Sequence, residues 1–361
     1  MPRRKATPAV TRPRTTHSQI AMVFDLNKCI GCQTCSVACK MLWTRDDDKR
    51  DGSDYMWWCS VNTMPGRGYP RDWEQMGGGY RDGRLQLGKR PTRDDFGGGW
   101  DFNYEEVFYG GKGTDAHLAP VGKEPTWGPN WDEDQGAGAW PNSYFFYLPR
   151  LCNHCTHPAC VEACPTGAMY KRPEDGIVLR DESRCEGRQR CAKACPYKKI
   201  FFNHVRGISQ QCIMCFPRLE QGVAPACARQ CPGRLVFVGY LDDADGPIHQ
   251  LVHKWQVALP LHPEYGTGPN VFYVPPLSPA PLNADGSPDD RRSRIPIQYL
   301  ESLFGPKVSD ALATLKAEMA KTKAGRKSKL MDLLTVYHWN DLFGPFTRDP
   351  ATVKHAAMGR K

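Results

Sequence analysis

The chain has 361 residues, 40% of them apolar and 24% charged, with a formal net charge of +9. It holds no run of about 18 apolar residues, which excludes a membrane-spanning helix, and no arginine-rich helix or nucleic-acid motif, so the positive charge implies no nucleic-acid partner. Its 34 glycines and 31 prolines predict many loops and few long elements, and its 16 cysteines become the feature to explain.

Residues 1–20 read as a basic arm carrying Arg3, Arg4, Lys5, Arg12 and Arg14. No apolar stretch follows them, so the arm lacks the body of a signal peptide, and Arg3-Arg4 alone is a weak twin-arginine signal. "AMVFDLNKC" reads as a short strand entering the first cysteine group at 29–39. Residues 41–145 form a long insertion without ligand spacing, with "GGGY" at 77–80, "GGGW" at 97–100, and Trp43, Trp57, Trp58, Trp73 and Trp100 in or beside it. Two readings stay open for these aromatics: anchors for another subunit, or a satellite core over the cysteine groups. Cys59, in "WWCS", stands alone and reads as a buried free thiol.

Three more cysteine groups lie between 146 and 232. Between two of them Asp175-Gly176 is a hairpin turn joining "AMYK" to "IVLR". Beyond 232, "RLVFVGYL" reads as a strand and "PPLSPAPLNADGSPDDRRS" as a loop. "SDALATLKAEMAKTK" has helical apolar spacing, and "KLMDLLTVYHW" reads as a second helix. The fold class expected is α+β: two bacterial-ferredoxin-like two-cluster modules with large loop insertions and a C-terminal, partly helical extension over 241–361. The outer module joins 21–40 to 205–240, and the inner module spans 146–204.

The first group, Cys29, Cys32, Cys35 and Cys39, has the C-x2-C-x2-C-x3-C spacing of a bacterial two-cluster ferredoxin. The second is Cys152, Cys155, Cys160 and Cys164. The third is Cys185, Cys191 and Cys195, with Arg188 where regular spacing would put a cysteine. The fourth is Cys212, Cys215, Cys227 and Cys231. The last three groups end in Cys-Pro. Structural zinc is the competing reading, but four-cysteine zinc sites are built from two pairs rather than a triplet with a trailing fourth. Tight crowding argues against a disulfide framework.

In a two-cluster ferredoxin the trailing cysteine of each group reaches the other cluster. That exchange assigns cluster A to Cys29, Cys32, Cys35 and Cys231, and cluster D to Cys39, Cys212, Cys215 and Cys227. Cluster B takes Cys152, Cys155, Cys160 and Cys195. Cluster C keeps three thiolates, Cys164, Cys185 and Cys191. Guanidinium is no iron ligand, so three [4Fe-4S] clusters and one [3Fe-4S] cluster are expected. Arg188 is read as filling the gap and placing positive charge beside cluster C. Lys198 and Lys199, in "CPYKKIFFNH", are read as tuning a potential, contacting a partner or standing in solvent. No phosphate loop, nucleophile elbow or zinc-protease motif is present. Asp25, His154 and His157 are the acid–base candidates, and the two histidines, inside a cysteine group, read as hydrogen-bonding residues. Four clusters without catalytic chemistry read as an electron wire.

"FDLNKCIGCQTCSVACKMLWT", "LCNHCTHPACVEACPTGAMYKRPEDGIVL", "CPYKKIFFN" and "QCIMCFPRLEQGVAPACARQCPGR" resemble the iron–sulfur beta subunit of molybdenum enzymes of the dimethyl sulfoxide reductase superfamily. The resemblance covers most of 20–240 and points to the branch of ethylbenzene dehydrogenase, dimethylsulfide dehydrogenase, selenate reductase and chlorate reductase, with nitrate reductase beta subunits more distant. It implies an alpha subunit bearing a molybdenum bis-guanylyl-pterin cofactor and a gamma subunit bearing haem b, with no membrane span in this chain. It implies the order A, D, B, C from alpha to haem, and a [3Fe-4S] cluster at Cys164, Cys185 and Cys191. In the family an aromatic usually stands where this chain has Arg188. It also implies a periplasmic location reached on the alpha subunit's twin-arginine signal, or, as in the nitrate reductase branch, the cytoplasmic face of the membrane.

Overall fold

The computed structural model describes residues 19–44, 53, 55–97, 100–102, 118–120 and 136–353. The basic residues of the arm and the two middle glycines of "GGGW" lie outside them. In chain order the strands used below are β1 (Ile20–Asp25), β2 (Ser60–Met64), β3 (Phe146–Arg150), β4 (Met169–Lys171), β5 (Val178–Arg180), β6 (Ile200–Asn203), β7 (Ile208–Gln211), β8 (Val236–Tyr240), β9 (Leu259–Pro260) and β10 (Val271–Val274). The helices are α1 (Thr34–Trp43), α2 (Ala159–Glu162), α3 (Arg190–Ala194), α4 (Phe216–Leu219), α5 (Ala226–Arg229), α6 (Ile297–Phe304), α7 (Val308–Lys323) and α8 (Lys329–Thr335). Among the described residues no helix is long and apolar enough to cross a membrane.

The central sheet has the order β8-β1-β10-β9. β1 is antiparallel to β8, with Met22 opposite Val238, and parallel to β10, with Met22 opposite Val271. Every residue of β1 is buried, which explains its unbroken apolar run: a strand covered on both faces needs no polar alternation. The parallel partner comes from the segment read as an extension. Residues beyond 241 therefore complete the sheet instead of decorating it.

Two helix pairs frame the cysteines. α1 packs on α5, and α2 packs on α3. Between the second pair β4 and β5 form the hairpin expected at Asp175-Gly176, with Tyr170 opposite Leu179. β6 and β7 form another hairpin, Ile200 opposite Gln211, and the expected division between modules at 204/205 falls in its turn. α7 spans nearly the segment anticipated, while α8 ends early because Val336 adopts a left-handed conformation, φ 57°.

Part of the insertion is core. Trp73 and Trp58 are buried, as are Tyr55, Tyr69 and Phe96, and they join the cluster of apolar residues around β1. β2 pairs with β3 and ties the insertion to the strand leading into the second cysteine group. Trp58 and Trp73 therefore belong to the main core rather than a satellite one, and the anchor reading does not apply to them. Arg150, at the end of β3, lays its guanidinium 3.5 Å from the centre of the Trp73 ring.

Candidate metal centres

The first cysteine group follows β1 through a short turn. The Asp25 carboxylate accepts the Asn27 backbone N–H at 3.1 Å and starts that turn; a buried carboxylate spent on a backbone cap is a structural group. The loop then needs two left-handed residues, Gly31 (φ 68°) and Gln33 (φ 58°). A Cβ on Gly31 would lie 2.5 Å from the Tyr147 ring, so glycine is required twice over, by conformation and by space. α1 follows and carries Cys35 and Cys39 on its buried side.

Three cavities each gather one set of cysteines from distant parts of the chain. Cys39, Cys212, Cys215 and Cys227 line one, together with Trp43, Trp58 and Cys59. Cys152, Cys155, Cys160 and Cys195 line a second, with Lys199 and Gln211. Cys164, Cys185 and Cys191 line a third, with Arg188 and Ser209. The charges acting on Cys29 come from Cys35, Cys231 and Cys32.

These residues fit iron–sulfur clusters on physical grounds. Burial pushes the Cys155 and Cys212 thiols up to about 12 and Cys191 up to about 11. Converging buried thiols resist ionising without a cation among them. Donors also face the sulfurs. Trp43 Nε1–H donates to Cys215 Sγ at 3.0 Å, and backbone N–H groups of Met214, His154 and Met169 donate to Cys212, Cys152 and Cys164 at 3.3–3.5 Å. Among the described residues, Trp58 Nε1 and the side-chain amide of Gln211 have no partner although both line cavities. A buried donor left without a partner is costly, and cluster sulfur is the acceptor these positions suit.

The third group repeats the first. "CEGRQRC" matches "CIGCQTC" in length, and Gly187 and Gln189 have φ 68° and 54° against 68° and 58° for Gly31 and Gln33. Arg188 occupies the position of Cys32, which is the exposed cysteine of its loop. The expectation for Arg188 itself needs correction. Its side chain is 65% exposed and its guanidinium pairs with Glu186 at 2.9 Å. The loop turns this position outward, so the arginine borders the third cavity while its guanidinium faces solvent beside Glu186.

Lys198 and Lys199 also depart from the solvated or partner-contact readings, because both are fully buried. Lys198 Nζ donates to the Lys193 carbonyl at 3.0 Å, and Lys199 Nζ to the Trp57 carbonyl and Ser60 Oγ, both at 3.1 Å. Burial, with Arg150 nearby, pulls the Lys199 ammonium down to about 7, and ionised sulfur at the neighbouring Cys59, Cys39 and Cys212 acts the other way and favours its charged form. His154 is buried and accepts the Val178 N–H on Nδ1 at 3.1 Å; burial, then Lys171, pulls it down to about 3, so it is a neutral structural residue. His157 is exposed. Cys59 is a buried thiol beside the cavity of Cys39, Cys212, Cys215 and Cys227.

Sequence reasoning missed Gln211 and Arg150, and it named Trp43 and Trp58 without placing them against the cysteines. It also missed an open cleft of about 280 Å³ beside the third cavity. Tyr55, Phe96 and Phe202 give it aromatic walls, Arg90, Arg93 and His204 supply its basic groups, and no carboxylate among the described residues lines it. Gln189 borders both spaces.

Residues 143–241 match the family described as a 4Fe-4S dicluster domain. Across the chain, selenate reductase subunit beta of Thauera selenatis is 56% identical over 330 residues, covering 90% of this chain and 98% of that one. Dimethylsulfide dehydrogenase subunit beta of Rhodovulum sulfidophilum is 53% identical, again over 90% and 98%. Respiratory nitrate reductase 1 beta chain of Escherichia coli is 36% identical over 80% of this chain and 76% of its own. With cysteine-lined cavities, a dicluster domain and identity sustained over nearly the whole length, the chain belongs to the family of iron–sulfur beta subunits that includes those of selenate reductase and dimethylsulfide dehydrogenase.

Proposed function

We propose that this chain is the electron-transfer subunit of a molybdenum oxidoreductase, holding three [4Fe-4S] clusters and one [3Fe-4S] cluster between a molybdenum bis-guanylyl-pterin alpha subunit and a haem b gamma subunit. Bound clusters supply one-electron transfer. Cys29, Cys32, Cys35 and Cys231 would hold cluster A, and Cys39, Cys212, Cys215 and Cys227 cluster D, in an outer module. Cys152, Cys155, Cys160 and Cys195 would hold cluster B, and Cys164, Cys185 and Cys191 cluster C, in an inner one. The observation that carries this reading is the convergence, cavity by cavity, of the sets that ligand exchange demands.

Two surfaces support partners at opposite ends of the wire. Ile30, inside the first cysteine loop, is 69% exposed, and Val37 and Met41 are exposed one turn apart on α1. Bare apolar residues beside cluster A suit burial under a catalytic subunit. The cleft with Arg90 and Arg93 adjoins cluster C and suits an anionic edge on an electron-exchanging partner. The family resemblance assigns a periplasmic location, reached with the alpha subunit.

Electron paramagnetic resonance of the anaerobically purified complex, titrated through potential alongside an iron count, tests the reading. A sharp oxidised-state [3Fe-4S] signal is expected, with this subunit one iron short of four complete cubanes. A colourless, zinc-loaded chain would overturn the function. A full complement of four cubanes would overturn only the account of cluster C.

A further inference from the structure

A cation buried in a protein core normally has a carboxylate beside it, because an unpaired buried charge is strongly disfavoured. Arg172 follows that rule: it is buried and lies within 3.3 Å of carboxylate oxygens of Glu174, Asp175 and Glu220. Arg150, Lys198 and Lys199 do not. Each is at most 1% exposed, and none forms an ion pair among the described residues. Arg150 donates from Nη2 to the Tyr197 carbonyl at 2.6 Å and stacks on Trp73, while its Nε has no partner. Glu74, the carboxylate whose charge acts on Arg150, is occupied by His262 Nε2 at 2.9 Å. Lys198 and Lys199 reach only neutral oxygens.

Lys199 lines one of the cysteine cavities, and the charge of Cys195 reaches Lys198 and Arg150. Lys199 lines the cavity of Cys152, Cys155, Cys160 and Cys195. It immediately precedes β6, and the β6–β7 register, Ile200 opposite Gln211, carries Lys199 toward Cys212 of the neighbouring set. Cys39 and Cys212 are among the thiols whose charge acts on it, whereas Cys195 is the thiol that acts on Lys198 and is one of those acting on Arg150. The third cavity has no such cation: the thiols of Cys164 and Cys191 are influenced by hydrogen bonds, burial and other thiols.

A cubane held by four thiolates is itself an anion, and reduction makes it more negative. We propose that Arg150, Lys198 and Lys199 are the built-in counter-charge of the two interior clusters, B and D, and that Lys199 serves both. These are positioning residues for the electron: they favour the reduced clusters and raise their potentials above what a neutral core would give. The inference rests on the cluster assignment proposed above.

The test is redox-titrated paramagnetic resonance with iron counts on the intact complex carrying Lys199→Met, Lys199→Arg or Lys198→Met. Lys199→Met should move two of the cluster midpoints to more negative potential, and Lys199→Arg should restore them. Lys198→Met should move one. Unchanged midpoints in both methionine variants at full iron content would overturn the proposal and leave the lysines as pins for backbone carbonyls. If Lys199→Met does not assemble, Lys198→Met decides by the same criterion, since it loses a single hydrogen bond to Lys193. A wild-type complex without cluster signals would sink the relay reading itself, a result distinct from either of these.

Discussion

Trp43→Phe isolates one hydrogen bond to one thiolate. The indole packs against the apolar cluster around β1, and phenylalanine keeps most of that contact while removing Nε1–H, which lies 3.0 Å from Cys215 Sγ. The bond is worth more when the cluster is reduced, because reduction adds negative charge to its sulfur. A difference of about 1 kcal/mol between the two states is ordinary for one hydrogen bond. At about 59 mV per tenfold, or 1.4 kcal/mol, for a one-electron couple, the midpoint of cluster D should fall by roughly 40 mV. The assay is a potentiometric titration of the complex followed by low-temperature paramagnetic resonance, with iron measured on the same sample. A midpoint unmoved within about 10 mV at unchanged iron, against that expected shift of about 40 mV, would refute the reasoning. Loss of one whole cluster would show instead that Trp43 is needed for assembly.

Other outcomes follow from the same geometry. Arg188→Cys places a thiol where Cys32 stands in the matching loop, so the [3Fe-4S] signal should vanish and iron rise by one per complex; a persistent signal would refute the loop equivalence. Arg188→Gln should barely move cluster C, because the guanidinium faces water and is paired with Glu186. Gly31→Ala forces a left-handed alanine, costing about 1–2 kcal/mol before its clash with Tyr147, and iron analysis should show cluster A depleted. Arg90→Glu with Arg93→Glu should slow reoxidation of the reduced complex by anionic ferricyanide at low salt, an effect that disappears at high salt; stopped-flow absorbance reads both conditions.

The cysteine groups, the Asp175-Gly176 hairpin, β1 and α7 were legible because each is written locally, as spacing, turn chemistry or period. Cys231 reaching the first group could be argued from ligand exchange, a chemical rule that carries information across the chain. No such rule announced that Val271–Val274 would pair in parallel with β1, since long-range pairing has no local signal. "YKKI" was misleading for a different reason. Adjacent lysines ordinarily stand in solvent, and only the folded position of Lys199 beside two thiol sets reveals a buried charge. Arg188 was readable as a missing ligand but not in direction, which depends on two left-handed residues flanking it.

The placement of β1 also governs how the protein is made. Its partners, β8 and β10, are encoded far downstream, and a ribosome adding about 5–20 residues per second needs on the order of ten seconds or more to reach them. During that interval the nascent chain exposes "IAMVF", an apolar strand with both edges open, directly followed by the thiols at 29–39. Such a segment is prone to aggregation and oxidation until the last strand emerges. The strand and the thiols that follow it therefore wait for residues 236–274 before they are covered, and shielding this stretch in the interval should raise the recovery of recombinant subunit.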